Sequence, residues 1–353
     1  MKAPKDLFFS IVVPVYNRPV EIRELLRSLT HQRFTQFEVI IVDDGSQPPV
    51  HEAVAAFAGE LDLRYFYIPN RGQGFARNYG FEQARGAYFV VFDSDCLIPE
   101  HYLETVYQAL KVRELDAYGG PDAAHESFST IQKAISYAMT SPLTTGGIRG
   151  GKRRIGRFYP RSFNMGLSRA TWERTGGFHW TNQSEDMELS TRMHQLGLKV
   201  DLLPEASVYH KRRVNWGQFF KQIYAFGQGR IRLYMKFRSG LKPMHFLPAL
   251  FTLGCIVLVL VGFILAFDHT LWSLSPSILT VFQALFWSGM TLLLLYTSLL
   301  FLHAYQKTRD WAVACASIPA VFIQFFGYGL GFIQDLAYSI LRPTQYRREK
   351  NST

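Results

Sequence analysis

The 353-residue chain has only three cysteines, Cys96, Cys255 and Cys315. They are too few and too widely spaced for a zinc site or a disulfide framework, and their scarcity points to a reducing compartment. There is no internal repeat and no low-complexity segment. The opening stretch MKAPKDLFFSIVVPVYNR carries no cleavage-site pattern, so a secretory leader is not expected. The most informative lack is of charge. From about Phe246 onward Asp, Glu, Lys and Arg nearly vanish for long stretches, so this part of the chain belongs to a different solvent.

What is present is basic, with a formal net charge of +10 concentrated in the first two thirds and at the flanks of the apolar stretches. Phosphates and anionic lipid headgroups are the partners such a balance favours. Short apolar β-branched runs alternate with helix-like stretches: SIVVPVY, then EIRELLRSLTHQ, FEVIIVDDGS, a helical segment over 50–58, RYFYIP, a helix through Gln83, and AYFVVFDSD. Buried runs separated by helices describe an α/β domain with a mostly parallel sheet. Ligands of such sheets gather at the carboxyl ends of the strands, where Asn17, Asp43, Asp44, Asp93 and Asp95 all fall.

In FVVFDSDC, Asp93 and Asp95 lie two apart, so on an extended chain both carboxylates point to one side. Their repulsion calls for a counter-charge, which a divalent cation supplies; a solvated turn after a buried strand is the alternative.

Taken together, PVYNR, VDDGS, GFARNYG, FDSDC, NMGLSR and SEDMELSTRMHQLG, in this order over roughly residues 10–210, resemble the inverting glycosyltransferases of the family-2 type. The resemblance implies a GT-A, Rossmann-like nucleotide-diphospho-sugar transferase domain over residues 1–210. It implies that Pro14, Val15, Tyr16 and Asn17 flank the base of a donor nucleotide and that Asp44 accepts from its imide N–H; capping of a helix or turn is the other reading of Asp44. Gly74, Arg77 and Asn78, on a turn and helix start with Gly72, would meet ribose or diphosphate; a surface cation is the other reading of Arg77. Asp93 would meet the ribose or the metal, and Asp95 would ligate Mg²⁺ or Mn²⁺. Cys96 follows as a packing residue, since a thiol is a poor ligand for a hard cation. Asp186 is implied as the base that deprotonates the acceptor hydroxyl, with Glu185 orienting it, although first-turn acids also stabilise a helix. SFNMGLSR would line the acceptor pocket. His210 would complete the metal site, or serve as a plain hydrogen-bonding residue.

The partners implied are a nucleotide-diphosphate sugar, UDP-sugars being favoured, and a lipid-linked or saccharide acceptor, with no nucleic acid polymer. The glycine-rich basic segment GGIRGGKRRIGR is either a cover for an anionic phosphate or a solvated loop. The processive members' Gln-x-x-Arg-Trp motif is missing, which argues against processive synthesis. A non-catalytic sugar-nucleotide-binding scaffold is the rival function.

Residues 211–242 read as an amphipathic helix with aromatics on one face and cations on the other, suited to a membrane interface or to a soluble core. In residues 243–353, the runs 246–267 and 279–302 are long enough to cross a bilayer. Basic residues flank this pair and are missing from the DHTLWSLSP connection, so both flanks are expected in the cytoplasm of a bacterial inner-membrane protein. A third run, 311–340, is interrupted by Pro319 and by Gly327, Gly329 and Gly331. It is expected to be a broken, re-entrant or interfacial segment, leaving two full spans, with three spans as the rival reading. Spans without buried charge make a poor transport pathway.

Overall fold

A computed structural model describes residues 9–145, 157–267 and 274–346. The segment 146–157, read above as a phosphate cover or a solvated loop, lies outside the described residues except for Arg157, and so do most of the 268–276 connection and the basic tail from 347. The chain forms two compact units. One runs to Phe128 and resumes from Thr140 to Lys211; the other joins Ser129–Met139 to the chain from Arg212 onward.

The first unit contains β1 (Phe9–Val15), α1 (Pro19–Thr30), β2 (Phe37–Asp43), α2 (His51–Ala55), β3 (Leu63–Tyr67), α3 (Gln73–Gln83) and β4 (Tyr88–Phe92). Then come β5 (Cys96–Leu97), α4 (Tyr102–Arg113), β6 (Ala117–Gly119) and β7 (Asp122–Ala123). Past α5 (Thr130–Thr140), whose residues to Met139 belong to the other unit, it resumes with α6 (Pro142–Thr145), β8 (Asn164–Ser168) and α7 (Arg169–Thr175). It closes with α8 (Glu185–Gln195), β9 (Val200–Leu202) and β10 (Val208–His210).

Seven strands form one sheet in the order β3-β2-β1-β4-β8-β6-β9, and β5-β10-β7 form a second. In the large sheet only β8 runs against its neighbours, pairing antiparallel with β4 and β6. Every residue of β1 is buried, as is every residue of β4, which is why both read as unbroken apolar runs rather than alternating ones. Helix α1 starts on Pro19 and turns Ile22, Leu25, Leu26 and Leu29 inward at helical spacing. The strand order reverses between β1 and β4, so their carboxyl ends flank a crevice. The helix expected over 50–58 shrinks to the turn and a half of α2, and residues 56–60 continue as turns.

The second unit is helical: α5, α9 (Trp216–Phe237), α10 (Leu247–Phe267), α11 (Pro276–Thr308) and α12 (Trp311–Leu341). Helices α10, α11 and α12 are each long and apolar enough to cross a membrane. Tyr137 of α5 donates to the Leu300 carbonyl and lies 2.8 Å from His303 Nδ1 of α11. The break expected near Pro319 is absent, and α12 is one continuous helix of 31 residues. Its glycines are there for close approach instead of interruption. A Cβ on Gly331 would stand 2.1 Å from the Tyr224 carbonyl oxygen of α9, and one on Gly329 would stand 2.5 Å from that of Pro248 in α10. Helix backbones this close leave no room for a side chain.

Candidate functional site

The crevice between β1 and β4 is lined by three strand-end loops. Pro14 and Val15 are buried within β1, whereas Tyr16 and Asn17 emerge from it. Asn17 adopts a left-handed φ of 52°, a conformation asparagine tolerates, and this ties two loops together. Its N–H donates to Ser46 Oγ at 2.8 Å and its Oδ1 accepts from the Gln47 N–H at 2.8 Å. Asp43 is structural: it accepts from the N–H groups of Ser46 and Val50 and from the Tyr65 hydroxyl. Asp44 accepts from the Arg71 and Gly72 N–H groups at 2.8 and 2.9 Å, one on each oxygen. Burial pushes its pKa up, against those two amides.

The Gly72–Gly74 turn is held by the loop before α8. The Gly74 N–H donates to the Thr181 carbonyl at 2.8 Å, and a Cβ on Gly74 would stand 2.1 Å from the Trp180 carbonyl oxygen. Asn78 is committed to the same loop, donating to the Phe178 carbonyl and accepting from the Phe178 N–H, both at 2.8 Å. In the structure Gly74 and Asn78 therefore join the strand-end half of the unit to α8.

Arg77 lies at the centre of that junction and is fully buried, which removes the reading of it as a surface cation. Its Nη2 donates to Asp93 Oδ1 at 2.6 Å and its Nη1 to Glu185 Oε1 at 3.0 Å. Glu185 also accepts from Gln73 Nε2 at 2.7 Å. Burial, reinforced by the neighbouring Asp186 charge and opposed by Arg77, pushes the Glu185 pKa up to about 7. Asp186 sits one residue on in the first turn of α8, more open than Glu185. Its Oδ1 accepts from the Met187 N–H at 2.7 Å, and its Oδ2 lies 3.5 Å from Arg161 Nη1.

Asp95 belongs to the other side of the crevice. One carboxylate oxygen pairs with Arg18, the residue after Asn17, and the other lies 3.2 Å from His210 Nε2. His210 reaches it because β10 pairs antiparallel with β5, placing His210 opposite Cys96, and because its ring stacks on Phe163 at 4.8 Å between centroids. Ligand atoms of Asp95, Cys96 and His210 lie within 4.8 Å of one another. Two adjacent ligands of an octahedral ion with bonds of about 2.1 Å stand about 3 Å apart, so the 3.2 Å between Asp95 and His210 suits a shared divalent cation. The oxygen and imidazole donors suit Mn²⁺, and Mg²⁺ less well. Cys96 is buried in the hydrophobic core and directs its Sγ to the Phe163 carbonyl, as a packing residue does.

The residues that motif reading passed over are Arg18, Gln73 and Arg161. Arg18 was inside the quoted PVYNR, but nothing in its neighbourhood in sequence signals that it meets Asp95.

Residues 10–175 match the family model described as glycosyl transferase family 2. The match covers just under half of the chain. The matched stretch holds the three strand-end loops and Arg77, while Glu185, Asp186 and His210 lie beyond it. Among the relatives of this chain is glycosyltransferase AglE of Haloferax volcanii, 26% identical over 265 residues, which cover 70% of this chain and 81% of that protein. The succinoglycan biosynthesis protein ExoA of Rhizobium meliloti is 25% identical over 244 residues, covering 66% of this chain and 73% of the relative. An uncharacterized glycosyltransferase of Rickettsia conorii is 35% identical over 145 residues, 40% of this chain and 23% of that much longer protein. In fold, the chain is similar to the mannosyltransferase PcManGT of Pyrobaculum calidifontis, solved in complex with GDP-Man and Mn²⁺. The TM-score is 0.53 at 19% identity, over 90% of this chain and 87% of that one. The fold of the first unit is thus of GT-A type, and a helical region with three candidate membrane helices follows it in sequence.

Proposed function

We propose that this glycosyltransferase moves a sugar from a nucleotide diphosphate to a hydroxyl of a lipid-linked or saccharide acceptor, at a membrane and with inversion at the anomeric carbon. The observation that carries this reading is the Arg77 bridge, which sets Asp93 at the strand-end crevice against the Glu185–Asp186 pair opening α8. The GDP-Man and Mn²⁺ bound by PcManGT support the donor class and a divalent ion. ExoA, named for succinoglycan biosynthesis, supports a polysaccharide-type acceptor.

In this reading Tyr16 and Asn17 border the nucleoside side of the crevice, with Pro14 and Val15 forming its floor. Asp44 keeps the Arg71–Gly72 turn in place through its two amide contacts, and its remaining lone pairs face the base. Asp95 and His210 would hold a divalent ion, which would neutralise charge on the departing diphosphate. Asp93 is left to the ribose, oriented by Arg77. The Asp186 carboxylate takes the proton of the acceptor hydroxyl as that oxygen bonds to the anomeric carbon. The bond from that carbon to the diphosphate oxygen breaks, its electron pair leaving with the diphosphate. Glu185 orients the base. The three candidate membrane helices and the basic flanks of the apolar pair support a bacterial inner-membrane protein with this machinery on the cytoplasmic side in the same reading.

The test is ligand-induced thermal stabilisation of detergent-solubilised protein by UDP-, GDP- and dTDP-sugars with Mn²⁺ present, followed by anomeric analysis of any product. Stabilisation by one donor class and an inverted product support the proposal, with UDP-sugars favoured. Stabilisation by a donor with no product favours the sugar-nucleotide-binding scaffold, a uniform absence of stabilisation overturns the donor site, and a retained anomer overturns the single displacement.

A further inference from the structure

Helix α12 meets α10 near that helix's start and α11 in its second half. Phe251, near the start of α10, contacts Phe322, Phe325 and Phe326 at 4.9 to 5.8 Å between ring centroids. Phe246 lies 5.1 Å from Phe332. On α11 the contacts are equally one-sided: Tyr296 stacks with Phe325 at 6.2 Å, and Phe301 and Tyr305 meet Trp311 at 5.2 and 4.7 Å. The distal halves of α10 and α11 pack on each other, as Gly262 against Phe286 and Gly289 against Leu258. Beyond Thr252 only Val261 of α10 is buried, and in α11 only Leu300 and Ala304. A third helix running through the bilayer beside this hairpin would cover more of it.

Both ends of α12 therefore lie at the level where α10 starts. Its far end is pinned there. Tyr346, past the helix, is buried with Ile231 of α9, Ala249 of α10 and Phe332. Its hydroxyl donates to Asp335 Oδ2 at 2.6 Å, and Arg232 of α9 lies within electrostatic reach of both. Helix α9 precedes the first candidate span and Tyr346 follows the last. Their contact requires an even number of crossings between them.

The residues of α12 also divide into two stripes. Val313, Ser317, Gln324, Gly331, Asp335 and Ser339 are buried on one side. Ala312, Cys315, Pro319, Leu330, Ala337 and Ile340 are exposed on the other, in two uncharged groups on either side of Phe322 and Phe326, which meet Phe251 of α10. An exposed side without charge can sit against lipid, and it is the placement of both helix ends that sets this contact at the interface.

We propose that α12 does not cross the membrane but lies with α9 as a platform in the lipid interface, its outer stripe seated among headgroups and upper acyl chains. The proposal rests on α10 and α11 crossing as a hairpin, and the test reads the two separately. In the full-length chain with its native cysteines replaced by alanine, single cysteines at Ser277, Gln306 and Thr344 are labelled with an impermeant maleimide in intact spheroplasts and in inverted vesicles. The proposal expects Gln306→Cys and Thr344→Cys to label from one side and Ser277→Cys from the other. Thr344→Cys labelling opposite to Gln306→Cys means a third span and overturns it. All three labelling from one side removes the hairpin and overturns it at its foundation.

A second readout is depth. Nitroxides at positions 312, 315, 330 and 340 should report nearly equal oxygen and nickel accessibility. A spanning helix rises about 1.5 Å per residue, so it would give a profile deepest in the middle, and that result overturns the platform.

Discussion

His210 Nε2 stands 3.2 Å from Asp95 Oδ1, while Arg18 holds the carboxylate's other oxygen. Asp95 is thus already neutralised by a protein cation, and a divalent ion has to compete with it. In the absence of donor, Mn²⁺ titrated by paramagnetic resonance should bind Arg18→Gln several-fold more tightly than the parent. Asp95→Asn should lose the site, and His210→Ala should weaken it more mildly. Transfer should stop with a chelator and return with Mn²⁺ or Mg²⁺. An unchanged titration in Arg18→Gln would show that the pair does not guard the site.

Arg77 holds Asp93 and Glu185 together in a buried setting, so removing it strands two carboxylates. Breaking such a pair costs about 3–5 kcal/mol. Arg77→Ala should lower the thermal midpoint in detergent and abolish donor binding. Arg77→Lys keeps the charge but loses the forked geometry and should fall between the two. A stable Arg77→Ala protein with normal donor affinity would contradict the bridge.

Glu185 has its pKa pushed up to about 7 by burial, then by the Asp186 charge. Between the ordinary glutamate value of about 4.3 and this raised value, the folded protein binds more protons here than the unfolded chain. Stability from this group is therefore greatest at low pH and declines as pH rises through that window. Unfolding midpoints measured from pH 4.5 to 7.5 should show this decline, and Glu185→Gln should flatten it. An identical slope in the variant would assign the dependence to other groups.

Asp186→Asn keeps the side-chain shape, and the donor contacts proposed above come from other loops. Donor and metal binding should therefore survive while turnover drops by about a hundred- to ten-thousand-fold, the usual worth of general-base assistance. Glu185→Gln should cost less turnover if that residue only orients. Near-normal activity in Asp186→Asn would displace it as the base.

The α/β class, the acids at the strand ends and the apolar pair now seen as α10 and α11 were legible in the sequence. Each depends on a local property: an unbroken apolar run means a strand buried on both faces, and strand ends are where such sheets expose polar groups. Reading residues one loop at a time could not show which of them meet. Arg77 and Glu185 are 108 positions apart, and only the closure of α3 against the loop before α8 brings them to 3.0 Å. The same closure commits Gly74 and Asn78 to the Trp180 and Phe178 backbone, a role the turn motif did not announce. Likewise, Pro319 and three glycines read locally as a broken segment, yet α12 is continuous. Its missing backbone hydrogen bond costs less than the helix gains by laying those glycines against α9 and α10, and a balance between distant surfaces is set only when the chain has folded.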